Sequence, residues 1–332
     1  MAALLFSSLC AVLWGLKKTT KMHMCDVHSL HPISGHWSSE SWQDDYSIPC
    51  CGWDAGAIPD SRCQTQDRIS DILYPDVSVV SASISGGRIA FVGGNGCSCR
   101  DVRPVSWKPD SCQLPDFDPD HFCALLQDHG KLLFVGDSTM HQFYAAVNNA
   151  VWSMCPEHVG FGHSDTLVAR NFGVLNRGKH WKAYVAEFRP KFLVLSTGAH
   201  YTSTSDFVEV LEGLKKDISE LSARGVHTFW RTQNPAGCVE TDDVTKFNSL
   251  LDEDSIQYGH DKTIERDAVT ADVFRGASIK YIDIRPLYLA GINARPNHAN
   301  GKRDCQHFCI NSHGPMGLLP RLMQNALRQV TN

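Results

Sequence analysis

From about residue 130 onward, short apolar runs alternate with longer amphipathic stretches, and this alternation restricts the fold more than anything else in the chain. Leu132–Val135, Phe192–Leu195, Val226–Trp230 and Tyr281–Ile284 read as buried strands. Phe207, Val210, Leu211, Leu214, Ile218 and Leu221 recur at helical spacing, as do Met316, Leu319, Leu322, Met323, Ala326 and Leu327 near the C-terminus. Strands without a polar side are covered on both faces, and strand–helix alternation gives parallel pairing through right-handed crossovers. The expectation is an α/β fold of three layers, α/β/α, with a doubly wound parallel sheet. In such sheets the chemistry collects at the carboxyl ends of the strands.

The upstream region is of another kind. Residues 25–125 are rich in Cys, Pro, Gly, Ser and Asp and show little helical periodicity. They read as a loop-rich, disulfide-tied subdomain with a few strands, such as Val77–Ile84 and Arg88–Val92. The division is therefore an apolar leader over 1–23, a cysteine-rich N-terminal subdomain over 24–128 and an α/β domain over 129–332. Of the 13 cysteines, Cys10 lies in the leader and leaves an even number behind, without paired C-x-x-C knuckles. That usage points to an oxidised, secretory-pathway protein with several disulfides. Ala2–Leu16 is uncharged and shorter than a comfortable bilayer span, so it reads as a signal peptide, a short membrane anchor or a misassigned start. Lys17, Lys18 and Lys21 on its C-terminal side disfavour a luminal body and are outweighed by the cysteine usage. The 36 acidic residues outnumber the 31 basic ones, which argues against a broadly basic nucleic-acid binder.

Four segments can carry chemistry. In KLLFVGDSTMHQFY, the strand runs into Gly136-Asp137-Ser138, and a helix is expected from about Thr139. A serine at that turn is placed as a nucleophile, and the helix N-terminus favours a nearby oxyanion. The bland alternative is an N-cap serine closing an ordinary strand–helix turn. In RDCQHFC, Asp304 and His307 stand three residues apart, a spacing that lets the carboxylate orient the imidazole as a base. Ser138, Asp304 and His307 thus form a candidate triad in an order known from other folds. Two further strand ends share that rim: Ser196-Thr197-Gly198-Ala199-His200-Tyr201, and Arg231-Thr232-Gln233-Asn234. The N–H groups of Ser138 and Gly198 and the Asn234 amide are candidate oxyanion donors, and Trp230 and Arg231 candidate substrate contacts. Cys305, His307 and Cys309 lack an evident fourth ligand, and Cys155, His158 and His163 read as a polar loop, so no metal site is expected.

These segments lie in a wider pattern. W-x-P-x-x-C-x-L-P-x-F-D from Trp107 to Asp118, then Phe122, Leu125-Leu126 and LLFVGDS, closely resembles the plant trichome-birefringence-like proteins. Those belong to the PC-esterase branch of the SGNH (GDSL-like) hydrolase superfamily. The resemblance continues through Ser-Gly-x-Trp at Ser34–Trp37, Arg-Thr-x-x-Pro at Arg231–Pro235 and Asp-Cys-x-His-x-Cys at Asp304–Cys309, covering roughly residues 24–330. It implies an SGNH-like catalytic domain behind a cysteine-rich subdomain. It also implies an O-acetyltransferase or acetyl esterase of polysaccharide or glycan hydroxyls, resident in the Golgi lumen or extracellular, with a non-catalytic carbohydrate-binding protein on the same fold as the alternative. No bound cofactor is implied beyond a small acyl donor. By the same resemblance Ser138 matches the nucleophile, Asp304 the orienting acid, His307 the base and Gln142 a substrate contact. Met140-His141 replace the family's Arg-Asn, and Ser196 replaces an asparagine, which loosens the expectation for the oxyanion hole and the acceptor. Cys305 and Cys309 flank the base, so one is expected to bond Cys238 and the other to reach the N-terminal cysteines.

Overall fold

The computed structural model describes residues 23–28, 33–39, 82–85, 88–91, 105–151, 154–174, 176–234, 262–290, 306–308 and 315–331. Its strands are β1 (Gly35–Ser39), β2 (Ala82–Ser85), β3 (Arg88–Phe91), β4 (Val105–Pro109), β5 (Leu132–Gly136), β6 (Val159–His163), β7 (Phe192–Ser196), β8 (His227–Arg231) and β9 (Ile279–Ile282). Its helices are α1 (Pro119–His129), α2 (Ser138–Val151), α3 (Trp181–Phe188), α4 (Thr204–Ala223), α5 (Thr263–Val273) and α6 (Leu318–Thr331).

The central sheet has the order β6-β5-β7-β8-β9 and is parallel throughout. Each β5 and β7 residue is buried, and successive side chains feed two separate cores. Leu132, Phe134, Phe192 and Val194 join Phe143 and Val147 of α2, Leu126 of α1 and Leu322 and Met323 of α6. Leu133, Val135, Leu193 and Leu195 meet Trp181 of α3 and Phe207, Leu211, Leu214 and Ile218 of α4 on the other face. Helices on both faces of a parallel sheet make the doubly wound α/β arrangement that the alternation implies.

Two local readings need correction. The fourth apolar run forms its strand earlier than Tyr281–Ile284. Asp283 leaves the ladder to accept from Arg285 N, and the Ile284 N–H goes to Thr232 Oγ1. VGFGH, expected to be loop, is the edge strand β6. Its glycines explain both the weak sequence signal and the structure. A Cβ on Gly160 would lie 2.6 Å from the Phe188 ring, and one on Gly162 2.4 Å from the Tyr184 ring, so bare backbone lets α3 pack directly on the strand.

In the cysteine-rich region β1 pairs with β4, and β2 with β3, all antiparallel. The rest of the expected Val77–Ile84 strand lies outside the described residues. The helix α1, within a stretch read as largely loop, is set by Pro119 at its start and by Asp118, which accepts from His121 N at 3.0 Å. The disulfides Cys25–Cys112 and Cys123–Cys155 are formed, compatible with an oxidising secretory or extracellular environment. Cys238, Cys305 and Cys309 lie outside the described residues. Among the described residues no helix is long and apolar enough to cross a membrane; the leader is outside them.

Candidate active site

Ser138 opens α2 at the carboxyl end of the second sheet strand, one residue earlier than expected. The residue that caps the helix is Asp137. Its Oδ1 accepts from Thr139 N at 2.9 Å, Thr139 Oγ1 at 2.6 Å and Met140 N at 3.3 Å. The capping role that would explain Ser138 as structural is thus already filled, and its hydroxyl is left for other work. Gly136 makes the turn possible, because a Cβ there would stand 2.4 Å from Ser196 O and 2.8 Å from Met140 Cβ.

His307 comes from the far end of the chain, and its Nε2 lies 2.9 Å from Ser138 Oγ. His307 is 7% exposed. Two side chains hold its segment. Gln142, one helical turn after Ser138, donates to Phe308 O at 2.6 Å and accepts from Phe308 N at 3.0 Å. Asn234 donates to Gln306 O at 2.7 Å. Ser138 and His307 therefore stand on one frame, anchored to α2 on one side and to the end of β8 on the other. Asp304 lies outside the described residues.

Several expected contacts take other roles. Gln142, expected at the substrate, is buried and spends both ends of its amide on Phe308. Asn234, expected in the oxyanion hole, directs its amide to the loop that carries His307. Trp230 is fully buried beside Phe274 at a ring separation of 5.3 Å, which makes it a core residue. Arg231 lies beneath the nucleophile's turn. It donates to Thr139 O at 3.1 Å, to Thr139 Oγ1 at 2.8 Å and to Ser196 Oγ at 2.9 Å. Burial lowers its pKa to about 10, with Asp137 and Asp267 pulling the other way, so it is a cation at neutral pH. Trp230 and Arg231 are buried because they end a strand that is covered on both faces.

Gly198 stays beside the site. It lines a small cleft with Asp137, Thr139, Gln233 and Asn234. A Cβ on it would sit 2.0 Å from Gln233 Oε1, so only glycine fits. Gln233 donates to Thr197 O at 2.7 Å, and the planar peptide then fixes the direction of the Gly198 N–H. Arg266 holds the next carbonyl, Gly198 O, and donates to Tyr201 O at 2.7 Å.

Sequence reasoning missed three supports: Asp137 as cap, Gln233 with Arg266 as braces, and the Asp165 carboxylate. Asp165 is fully buried. It meets His163 Nε2 at 2.9 Å, His200 Nε2 at 3.3 Å and Arg177 Nε at 3.2 Å. Burial would raise its pKa, but the hydrogen bond from His163, the charge of His200 and the Arg177 contacts outweigh it and hold the carboxyl below the usual range. The only signal for this cluster was His-Ser-Asp after a run not legible as a strand. Among the described residues no group of three or more His, Cys, Asp or Glu is arranged to hold a metal ion. No protein-family model matches this chain, and no curated protein matches it.

Proposed function

We propose that the protein is a serine-dependent acyl-transfer enzyme, in which Ser138 is the nucleophile and His307 its general base. The 2.9 Å contact between Ser138 Oγ and His307 Nε2, joining residues 169 apart in the chain, carries this reading. A serine whose helix is already capped by its neighbour, facing an imidazole clamped at both sides, is an arrangement suited to nucleophilic catalysis. His307 takes the Ser138 proton as Oγ attacks the acyl carbonyl, and returns it to the departing group. The N–H groups of Ser138 and Gly198 and the N-terminus of α2 meet the oxyanion, each such donor worth about 10²–10³ in rate. Asp304 is assigned the orienting role on its spacing from His307.

The resemblance to trichome-birefringence-like proteins extends the proposal. We read the catalytic domain as SGNH-like, the acyl group as acetyl, and the acceptor as a polysaccharide or glycan hydroxyl. A Golgi-lumen or extracellular site, with the leader as signal or anchor, completes it. The acyl-serine is discharged to sugar in a transferase and to water in an esterase, and the transferase is our reading. Incubation with p-nitrophenyl acetate followed by intact-mass and peptide analysis tests the chemistry. Acetylation is expected at Ser138 in the parent chain, absent in Ser138→Ala, and slowed about 10³-fold or more in His307→Ala. Undiminished labelling of Ser138→Ala removes the proposal.

A further inference from the structure

One flank of the site has no part in the acylation just described. Strand order puts the base on the β8 side of Ser138, because Asn234 at the end of β8 holds its loop. The opposite side is edge strand β6, whose last residue, His163, pairs in register with Gly136, two residues before the nucleophile. Ser164 N donates to Gly136 O at 2.8 Å, so the two strand ends are stitched together there.

His163 and Phe161 share the α2 face of the sheet, since Gly160 and Gly162 take the face packed by α3. Phe161 stacks on His141 at 4.6 Å and 14° and on Tyr144 at 5.5 Å and 23°. His141 is three residues beyond Ser138, so these near-parallel rings form a ledge that starts one helical turn from the nucleophile. Phe161, Tyr144 and His163 are all partly exposed. His163 is oriented through Nε2 by the buried Asp165 carboxylate, itself fixed by Arg177 N at 2.7 Å. Among the described residues its Nδ1 carries no hydrogen bond. An oriented imidazole edge beside partly exposed aromatic rings is the chemistry that receives a sugar: its C–H groups pack on the ring surface that the stack leaves open, and a hydroxyl donates to the nitrogen.

We infer that the β6 flank, with His163 held by Asp165 beside the Phe161–Tyr144 ledge, is the binding subsite for a neutral, polyhydroxylated acyl acceptor. This rests on the proposed acyl transfer for its purpose, but not for its binding. One acceptor hydroxyl lies towards Ser138 and His307, while a neighbouring hydroxyl donates to His163 Nδ1.

The binding arm uses the full chain carrying Ser138→Ala, titrated calorimetrically with xylohexaose and with cellohexaose. At least one is expected to bind, and adding His163→Ala is expected to weaken it about tenfold, the loss of one hydrogen bond. Tyr144→Leu is a second probe that leaves the Asp165 cluster in place, and is expected to weaken binding several-fold. His163→Gln, which offers a nitrogen-side amide and an acceptor oxygen, should recover part of the affinity. The turnover arm supplies acetyl from p-nitrophenyl acetate to the parent Ser138 chain, and measures acetyl-sugar against acetate. His163→Ala should shift that ratio towards acetate about tenfold. Failure of both sugars to bind, binding indifferent to His163 and Tyr144, or an equal fall in both products overturns the inference. Binding lost on His163→Ala in a protein that never acetylates Ser138 would instead overturn the acyl-transfer reading and leave the subsite standing.

Discussion

Gln142 is a single residue that makes two hydrogen bonds to the Phe308 backbone. Gln142→Leu removes both hydrogen bonds to the Phe308 backbone, so urea unfolding should show a loss of about 1–3 kcal/mol. Ser138 acetylation should slow as well, because His307 sits next to the released residue. Gln142→Glu keeps only the bond from Phe308 N and should fall between the two. Gly198 tests the other side of the nucleophile. A methyl there meets Gln233 Oε1 at 2.0 Å and disturbs the brace on Thr197 O. Acetylation of Gly198→Ala should fall about 10²-fold, the worth of one oxyanion donor, with far-ultraviolet circular dichroism unchanged. Both positions act through peptide orientation, and therefore neither resembles a catalytic residue in type.

At the scale of elements, α6 does more than cover the sheet. Its apolar face enters the core through Leu318, Leu319, Leu322, Met323, Ala326 and Leu327. Its polar side reaches the cysteine-rich region. Arg321 donates to Pro115 O at 3.1 Å, Trp107 O at 3.2 Å and Leu114 O at 2.5 Å. Asn325 and Gln329 both donate to Cys25 O, at 3.1 and 2.8 Å. The segment Trp107–Pro115 is thus tied to the last helix by one arginine. Arg321→Met keeps the aliphatic stem and removes the donors, so it should cost about 2–4 kcal/mol and lower the melting temperature by several degrees. α2 shows the complementary behaviour. It carries Ser138 at its start, the loop clamp at Gln142 and the stacked rings of His141 and Tyr144, so the proposed chemistry and the packing are read from one helix at successive turns.

Across the whole molecule, long-range bonds and buried charge set the stability. The Cys25–Cys112 bridge closes a separation of 87 residues, for which the chain-entropy model gives about 4–5 kcal/mol. Cys25→Ser with Cys112→Ser should lose much of that in urea titration. Asp267 makes stability pH-dependent. It is buried, its Oδ1 accepts from Gln233 N at 2.8 Å, and burial raises its pKa from 3.8 to about 7, while the Gln233 bond and nearby Arg285 oppose the shift. The folded chain then keeps a proton that the unfolded chain has lost between those values. This group's contribution is present at low pH and is lost as pH rises towards about 7. Asp267→Asn keeps the acceptor for Gln233 and removes the titration. Its stability should exceed that of the parent chain above pH 7, by no more than about 4 kcal/mol, the ceiling for a shift of this size. Paired unfolding curves at pH 5 and pH 8 measure the difference.

The apolar periodicity by itself determined that β5, β7 and β8 are buried strands, that α4 and α6 are helices, and hence that the sheet is parallel and covered on both sides. Those properties follow from local hydrophobic patterning, which each segment carries alone. Ser138 and His307 could likewise be nominated from a strand end and a short loop. Only the tertiary structure brought them within 2.9 Å, and only it turned Gln142, Asn234, Arg231 and Trp230 from apparent ligand contacts into framework. The reason is that a polar side chain at a strand end satisfies either a ligand or a distant backbone group. Which one depends on what the folded chain places opposite it. The same holds for β6, whose glycines carry no hydrophobic signal and become a strand because Tyr184 and Phe188 need the room they leave.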